Sequence, residues 1–560
     1  MIRKDFPKLA EHYFEERLAN GLLVRVIEKP GFAKRYAFVA TDYGSIDAEF
    51  ILDGKKYTTP QGVAHYLEHK MFDLPEGNAM QEFAKYAGAN NAFTSYTMTA
   101  YYVECTEHLE ENLEILLRMV TTGYFTEESV QKERGIIAQE IRMYDDSADS
   151  AVMENLFRIM YQNHPVRNNI AGTVESIEEI TAETLKLCHD TFYDPSNLIV
   201  CVIGDVDAQK IIDQVRCQTP AGKPARVERC YGAPEPQEVR NRRIEKEMEI
   251  SMPAFAIGFR CPDAGRGQDA MRMELIGELA GEILIGESSE LYQKLYDENV
   301  IDADFSVDYE RMKGMALLEL CGDSEQPERI LQEVLQEAAC VIKTGVDRAL
   351  LDRLKKSVTG RRLRGLDGFE GTCYRMCAYY FDGAEYLEYP DIYAGVTAED
   401  VEQSARTSRK NRHSCRSSDR SAKRRKNHAA DVSDFVPESR HHCGPEPRRL
   451  HGDGEGYLLV RHYYCGRLSA GGFVYAVPRK NVRHYAGRRA GSGAVGGADR
   501  RYLRAALLLR VLLGSLPRQP HLDALHLGGR ACHLRRHHRR RDHGPGSEPS
   551  EENSAAGYAR

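Results

Sequence analysis

At residue 404 the chain changes composition, and that change limits what it can fold into. Residues 404–560 hold 28 Arg and 4 Lys against 13 acidic residues, a net +19. Residues 1–403 hold 44 basic and 71 acidic residues, a net −27. Thirteen of the 19 histidines also lie after the break. A strongly basic segment with clusters such as HLRRHHRRR gains too little from apolar burial to offset its chain entropy. The expectation is that 404–560 has no stable fold and that the core lies in 1–403.

The break interrupts a repeat. IEEITAETLKLCHDTFYDPSNLIVCVIGDVD, residues 177–207, reads as a helix followed by a buried strand. YAGVTAEDVEQ, 393–403, matches the start of that helix, with Val396 standing 216 residues after Ile180. A strand like LIVCVIGDV should follow, but the chain continues SARTSRKNRHSCRSS. The lost strand would expose its sheet neighbours and remove core from the second unit. Three readings of the tail compete. One is a disordered arm that binds nucleic acid non-specifically through its charge. Another is a metal site in HHCGPEPRRLH or CHLRRHH, although neither spacing matches a zinc pattern. The third, a frameshift into a GC-rich frame, fits best, because Arg and Gly accumulate and no Lys follows Lys480.

Before the break the patterns alternate between strand and helix. GLLVRVIEKP and YAFVATDYGSIDAEF, within 22–52, read as strands, and so does NAFTSYTMTAYYVEC, 91–105. Helical spacing covers 61–73, 78–87, 107–121, 127–146, 268–299 and 326–364, while 198–206 is a continuous apolar run suited to a buried strand. Residues 218–242, rich in Pro, Gly and Arg, read as a linker ahead of the strand-like MPAFAIGFRC. The expected organisation is a first unit over 1–218, a linker over 219–245, a second, truncated unit over 246–403 and the tail over 404–560. No run approaches the ~18 apolar residues of a membrane span. MIRKDFPKLAEHYFEERL lacks the apolar centre of a signal peptide, and ten of the 14 cysteines are scattered over 105–377 without a CxxC pair. Together these point to the cytoplasm and to reduced thiols.

The chemistry is concentrated in QGVAHYLEHKMF, 61–72, which holds two of the six histidines before the break. A helix turns 100° per residue, so His65 and His69 share a face and can reach one ion. A catalytic zinc needs about three protein ligands, so a third must come from elsewhere. The helix ESVQKERGIIAQEIRMYDD offers Glu133 and Glu140, seven apart on one face, one to ligate and one to support. Glu68 stands beside the pair and could take a proton from a metal-bound water as general base. A chance His pair on a surface turn is the plain alternative, and for the two glutamates alone a solvated face would be the better reading.

HxxEH preceded by GVA, a carboxylate helix with Glu140 71 residues after His69, and NAFTSYTMTAYY together resemble the pitrilysin/insulinase family of zinc metallopeptidases, which includes the mitochondrial processing peptidase. The resemblance spans roughly 15–403 and is nearest to the short bacterial members. It implies an α+β fold of duplicated α/β units, each a mostly antiparallel sheet packed with helices. It implies one Zn2+ per chain on His65, His69 and Glu140, with Glu68 as general base and Glu133 as the second acidic residue of the catalytic machinery. Asn91, Ala92 and Phe93 match the edge strand that pairs with an extended peptide. The implied activity is hydrolysis of peptide bonds in peptides or unfolded segments. The alternative is a catalytically incompetent or partner-dependent subunit of a two-chain peptidase. The family's closed chamber implies a homo- or heterodimer with a related chain, and nothing suggests a membrane. The family also uses an Arg–Tyr pair, for which Arg361, Arg362 and Tyr374 lie in a suitable region at an unconvincing spacing. MFDLPEGN departs from the family's usual sequence after the motif, at the wall of the pocket.

Overall fold

The computed structural model describes residues 1–403, except 223, 225 and 237, and the backbone of 457–463. The readings made for the rest of the tail lie outside the described residues. Two sheets organise the chain. The first contains β1 (Ile2–Phe6), β2 (Glu11–Arg17), β3 (Leu23–Glu28), β4 (Arg35–Thr41), β5 (Ala89–Thr94), β6 (Thr99–Cys105) and β7 (Leu198–Gly204), in the order β1-β2-β3-β7-β4-β6-β5. β7 is the apolar run LIVCVIG. It pairs parallel to β3 and antiparallel to β4, with Val200 opposite both Val24 and Val39. All seven of its residues are buried, which is why the run is continuous and does not alternate.

Alternate residues of this sheet feed two cores. Val24, Val39, Val200 and Val202 face Tyr66 and Leu67 of the helix Val63–Lys70. Leu23, Phe38, Ile199 and Cys201 face the opposite way and meet Leu275, Leu354, Cys373 and Met376 from helices beyond the linker. Each fully buried aliphatic side chain contributes about 1.5–3 kcal/mol.

The second sheet contains β8 (Arg243–Lys246), β9 (Pro253–Cys261), β10 (Ser306–Met312), β11 (Met315–Asp323) and β12 (Tyr457–Tyr463), in the order β8-β12-β9-β11-β10. Ala254, Ala256 and Leu317 on one face pack against Val152, Leu156 and Met160 of the helix Ala148–Met160. Phe255, Ile257 and Leu320 on the other face pack under helices from the second half. The halves therefore exchange cover: a helix from the first lies on the second sheet, and helices from the second lie on the first.

The structure fills the place that the sequence reading leaves empty. β12 pairs parallel to β8 and antiparallel to β9, the position that β7 holds between β3 and β4. The repeat extends to the helix starts, where Thr181 and Thr397 accept from the amides of Thr184 and Asp400, behind buried Ile180 and Val396.

Four other expectations change in detail. The single strand over 91–105 is a hairpin, β5 and β6, because Ser95 Oγ accepts the amides of Thr97 and Met98 and turns the chain. The helical stretch 268–299 is two helices, Gln268–Ile285 and Glu290–Asp297, divided after Gly286. The stretch 326–364 divides at Gly345, whose φ of 85° a helix does not allow. The linker is anchored. Val227–Arg229 pairs with Glu49–Leu52, Arg229 bridges to Asp42 and Asp47, and Lys313 reaches Asp42 from the β10–β11 turn. Among the described residues no helix is long and apolar enough to cross a membrane.

Candidate metal centre

The motif helix begins at Gly62, which has a φ of 88°. A Cβ there would stand 2.3 Å from the carbonyl oxygen of Ala171, so backbone packing as well as φ demands glycine. Tyr66 and Leu67 point into the core, and Tyr66 OH donates to the carbonyl of Val130 on the helix Glu127–Asp145. That second helix starts at a capping box of Thr126 and Ser129 and buries Val130, Ile137 and Ile141. With that stripe in the core, Glu133 and Glu140 face the motif helix.

The two helices bring five predicted residues together. The rings of His65 and His69 lie 4.7 Å apart. Nε2 of His65 is 3.7 Å from Oε1 of Glu140, and Nε2 of His69 is 3.3 Å from its Oε2. Ligands at ~2.0–2.1 Å from a tetrahedral zinc stand roughly 3.3–3.4 Å from one another. One ligand atom from each of His65, His69 and Glu140 falls within 4.8 Å of the others, so these three residues could hold a metal ion. Glu133 lies on the far side of His69, its Oε1 3.0 Å from Nδ1. A proton held on Nδ1 by that carboxylate leaves Nε2 free to ligate. Among the described residues Nδ1 of His65 is buried without a hydrogen-bond partner, so no such contact fixes that ring there.

The charges around the three residues are tightly coupled. Burial opposes the charged form of His69, but the hydrogen bonds of Glu133 and Glu140 outweigh it and raise the imidazole to about 10. The hydrogen bonds of His65 and His69 hold Glu140 well below the usual carboxylate range. Glu68 is 8% exposed, and burial raises its carboxyl above the ordinary value. A cation entering among these groups would displace the proton on His69 and meet a carboxylate already ionised.

Two neighbours escaped the sequence reading. Thr94 Oγ1 donates to Glu68 Oε2 at 2.7 Å, and Tyr144 OH donates to Glu140 Oε1 at 2.9 Å. Tyr144 stands four residues after Glu140, a spacing that could have revealed it. Thr94 ends the strand that contains Asn91, Ala92 and Phe93. That strand, β5, forms the outer edge of the first sheet, so these three residues stand beside the site and not within it. Arg361 and Arg362 are apart from the site, paired with Glu282 and Glu278. Tyr374 comes nearer, its ring 5.7 Å from that of Phe93.

Comparison with known proteins identifies the family. Residues 51–174 match the family model described as Insulinase (Peptidase family M16), and 179–358 match Peptidase M16 inactive domain. The chain is 35% identical over 407 residues to the "Uncharacterized zinc protease YmfH" of Bacillus subtilis (strain 168), covering 71% of this chain and 94% of that one. It is 28% identical over 160 residues to a probable mitochondrial-processing peptidase subunit beta of Arabidopsis thaliana, covering 28% and 30% of the two chains. The crystal structure of a putative M16-like peptidase from Alicyclobacillus acidocaldarius superposes with a TM-score of 0.68 at 32% identity, over 70% of this chain and 94% of that one.

Proposed function

We propose a peptidase reaction for this chain, which belongs to the insulinase (M16) peptidase family. It hydrolyses peptide bonds in peptides or unfolded segments, with one zinc ion on His65, His69 and Glu140. The observation that carries this reading is the convergence of those three side chains, with a buried glutamate one residue from a ligand. When bound, zinc supplies Lewis acidity and lowers the pKa of a coordinated water toward ~7.

The residues of the chain do the rest. Glu133 holds His69 in the ligating tautomer. Glu68 is the general base. Its Oε2 is engaged by Thr94, so Oε1 is the atom that takes the proton from the attacking water. Burial raises the carboxyl, which suits it to hold that proton and return it to the leaving amine. The outer edge of β5 at Asn91, Ala92 and Phe93 receives the substrate as an added strand, the Ala92 amide exchanging its bond to Asn91 Oδ1 for one to the peptide, with main-chain hydrogen bonds that tolerate many sequences.

A second reading is favoured by the match of 179–358 to an inactive-domain model. The chain then pairs one motif-bearing half with one lacking the motif, and needs a second copy or a related chain to enclose a substrate. The experiment measures metal content and quenched-peptide cleavage by the full chain beside its Glu68→Gln and Glu140→Gln variants. One zinc per chain, lost in Glu140→Gln, and cleavage lost in Glu68→Gln with zinc retained are the expected results. Zinc without cleavage selects the partner-dependent reading, and absence of zinc rejects both.

A further inference from the structure

We propose that Thr94 is a positioning residue that couples the substrate-docking edge strand to the general base. The inference rests on the reading of Glu68 given above. Thr94 is the last residue of β5, and the same strand presents Asn91, Ala92 and Phe93. Its hydroxyl donates to Oε2 of Glu68 at 2.7 Å, within the range of a charge-assisted O–H···O bond.

The surrounding bonds leave that hydroxyl proton little choice. Thr99, directly opposite Thr94 in the β5–β6 ladder, donates to the carbonyl of Tyr43 at 2.9 Å. Its one proton is therefore engaged. The 3.4 Å separation of the two threonine hydroxyls adds only a weak contact. A carboxylate can only accept, and Thr94 is the side chain seen to donate to Glu68 among the described residues. Fixing Oε2 sets the carboxylate plane and leaves Oε1 as the proton-accepting atom.

The link to substrate follows from topology. Among the described residues β5 has a partner on only one side, β6. An extended peptide pairing with its outer edge would restrain the strand along the residues that lead to Thr94. Docking and orientation of the base are then one event, and peptides that fill the edge are cleaved faster and not merely held more tightly.

The test compares the full chain with Thr94→Val, Thr94→Ser, Glu68→Gln and the Thr94→Val/Glu68→Gln double variant, measuring kcat and KM on a quenched peptide and zinc content. Thr94→Val should lower kcat about 10–100-fold, with KM and zinc content little changed. Thr94→Ser, which keeps the hydroxyl, should restore most of the rate. In the Glu68→Gln background Thr94→Val should cost nothing further. Glu68-dependent cleavage with Thr94→Val as fast as the parent would overturn this inference alone, and so would failure of Thr94→Ser to rescue. Cleavage indifferent to Glu68→Gln would overturn the peptidase reading itself, and the role of Thr94 with it.

Discussion

Replacing Glu133 by Gln tests how the site prepares for its metal. In the metal-free chain His69 is raised to about 10 by Glu133 and Glu140. At pH 7 a proton therefore competes with the metal for His69 across about three pH units, which weakens apparent affinity roughly 10³-fold. Apparent affinity should rise about tenfold per pH unit between pH 7 and 9 as that proton is lost. Glu133→Gln removes one of the two carboxylates that hold the proton, and also the one that orients the ring. The first effect lowers the pKa of His69 and relieves competition near pH 7. The second costs about 10–100-fold in limiting affinity, or roughly 1.4–2.7 kcal/mol. The variant should thus lose most affinity near pH 10 and noticeably less at pH 7. Zinc titration against a competing chelator at several pH values reads both numbers. Calorimetry in buffers of different ionisation enthalpy counts the protons released. An affinity flat from pH 7 to 9 in the parent chain, or the same loss in Glu133→Gln at every pH, would refute the reasoning.

Further outcomes follow from the same structure. Because the His69 pKa is raised on folding, it stabilises the metal-free fold fully below its unfolded value of about 6.5, and that stability is lost as pH rises through about 10. Glu140, depressed on folding, contributes above about 4.5 and is lost in acid, so the metal-free thermal midpoint should fall at both ends. Gly62→Ala forces a Cβ against Ala171 at a φ of 88° and should lower stability by at least ~1–3 kcal/mol in urea titration; an unchanged midpoint would contradict the packing described. Lys313→Met takes one of the cations from the buried pair Asp42 and Asp47, and should cost about 3–5 kcal/mol by the same assay. Val460→Pro removes an amide from a strand flanked on both sides and should cost at least ~1–3 kcal/mol; full stability would argue against β12.

How much was legible depends on the scale of the signal. His65, Glu68 and His69 lie within five residues of one helix, so helical geometry alone puts the two histidines on one face. Glu133 and Glu140 needed only the seven-residue spacing, with Ile137 and Ile141 buried beside them. Thr94 was hidden because its partner, Glu68, is 26 residues away, and only the closing of β5 against the motif helix brings the two together. The β5–β6 turn was hidden because apolar residues continue at Tyr96 and Met98 through the hairpin. β10, SVDYERM, and β11, MALLELCGD, do carry strand signals, an alternating edge and an apolar run, that a reading for long helices leaves out. β12 is a short run, YLLVRHY, inside a segment judged by composition over 157 residues. An average at that scale cannot register seven residues.

β12 matters to the site through the exchange of helices. Among the described residues β8 pairs with β12 alone, so loss of β12 would leave β8 without a neighbour there and expose the long edge of β9. The helix Ala148–Met160 lies across β9 and β12, and its core residues Val152, Leu156 and Met160 have that sheet as their cover. Only two residues, Asp146 and Ser147, separate this helix from the end of the helix that carries Glu133 and Glu140. Tyr144, which donates to Glu140, stands in the last turn before that junction. A second sheet opened at β12 would therefore loosen the support of the ligand helix at the end nearest Glu140. Metal affinity and the integrity of the second sheet should fall together, although β12 and the ligands belong to opposite halves of the chain.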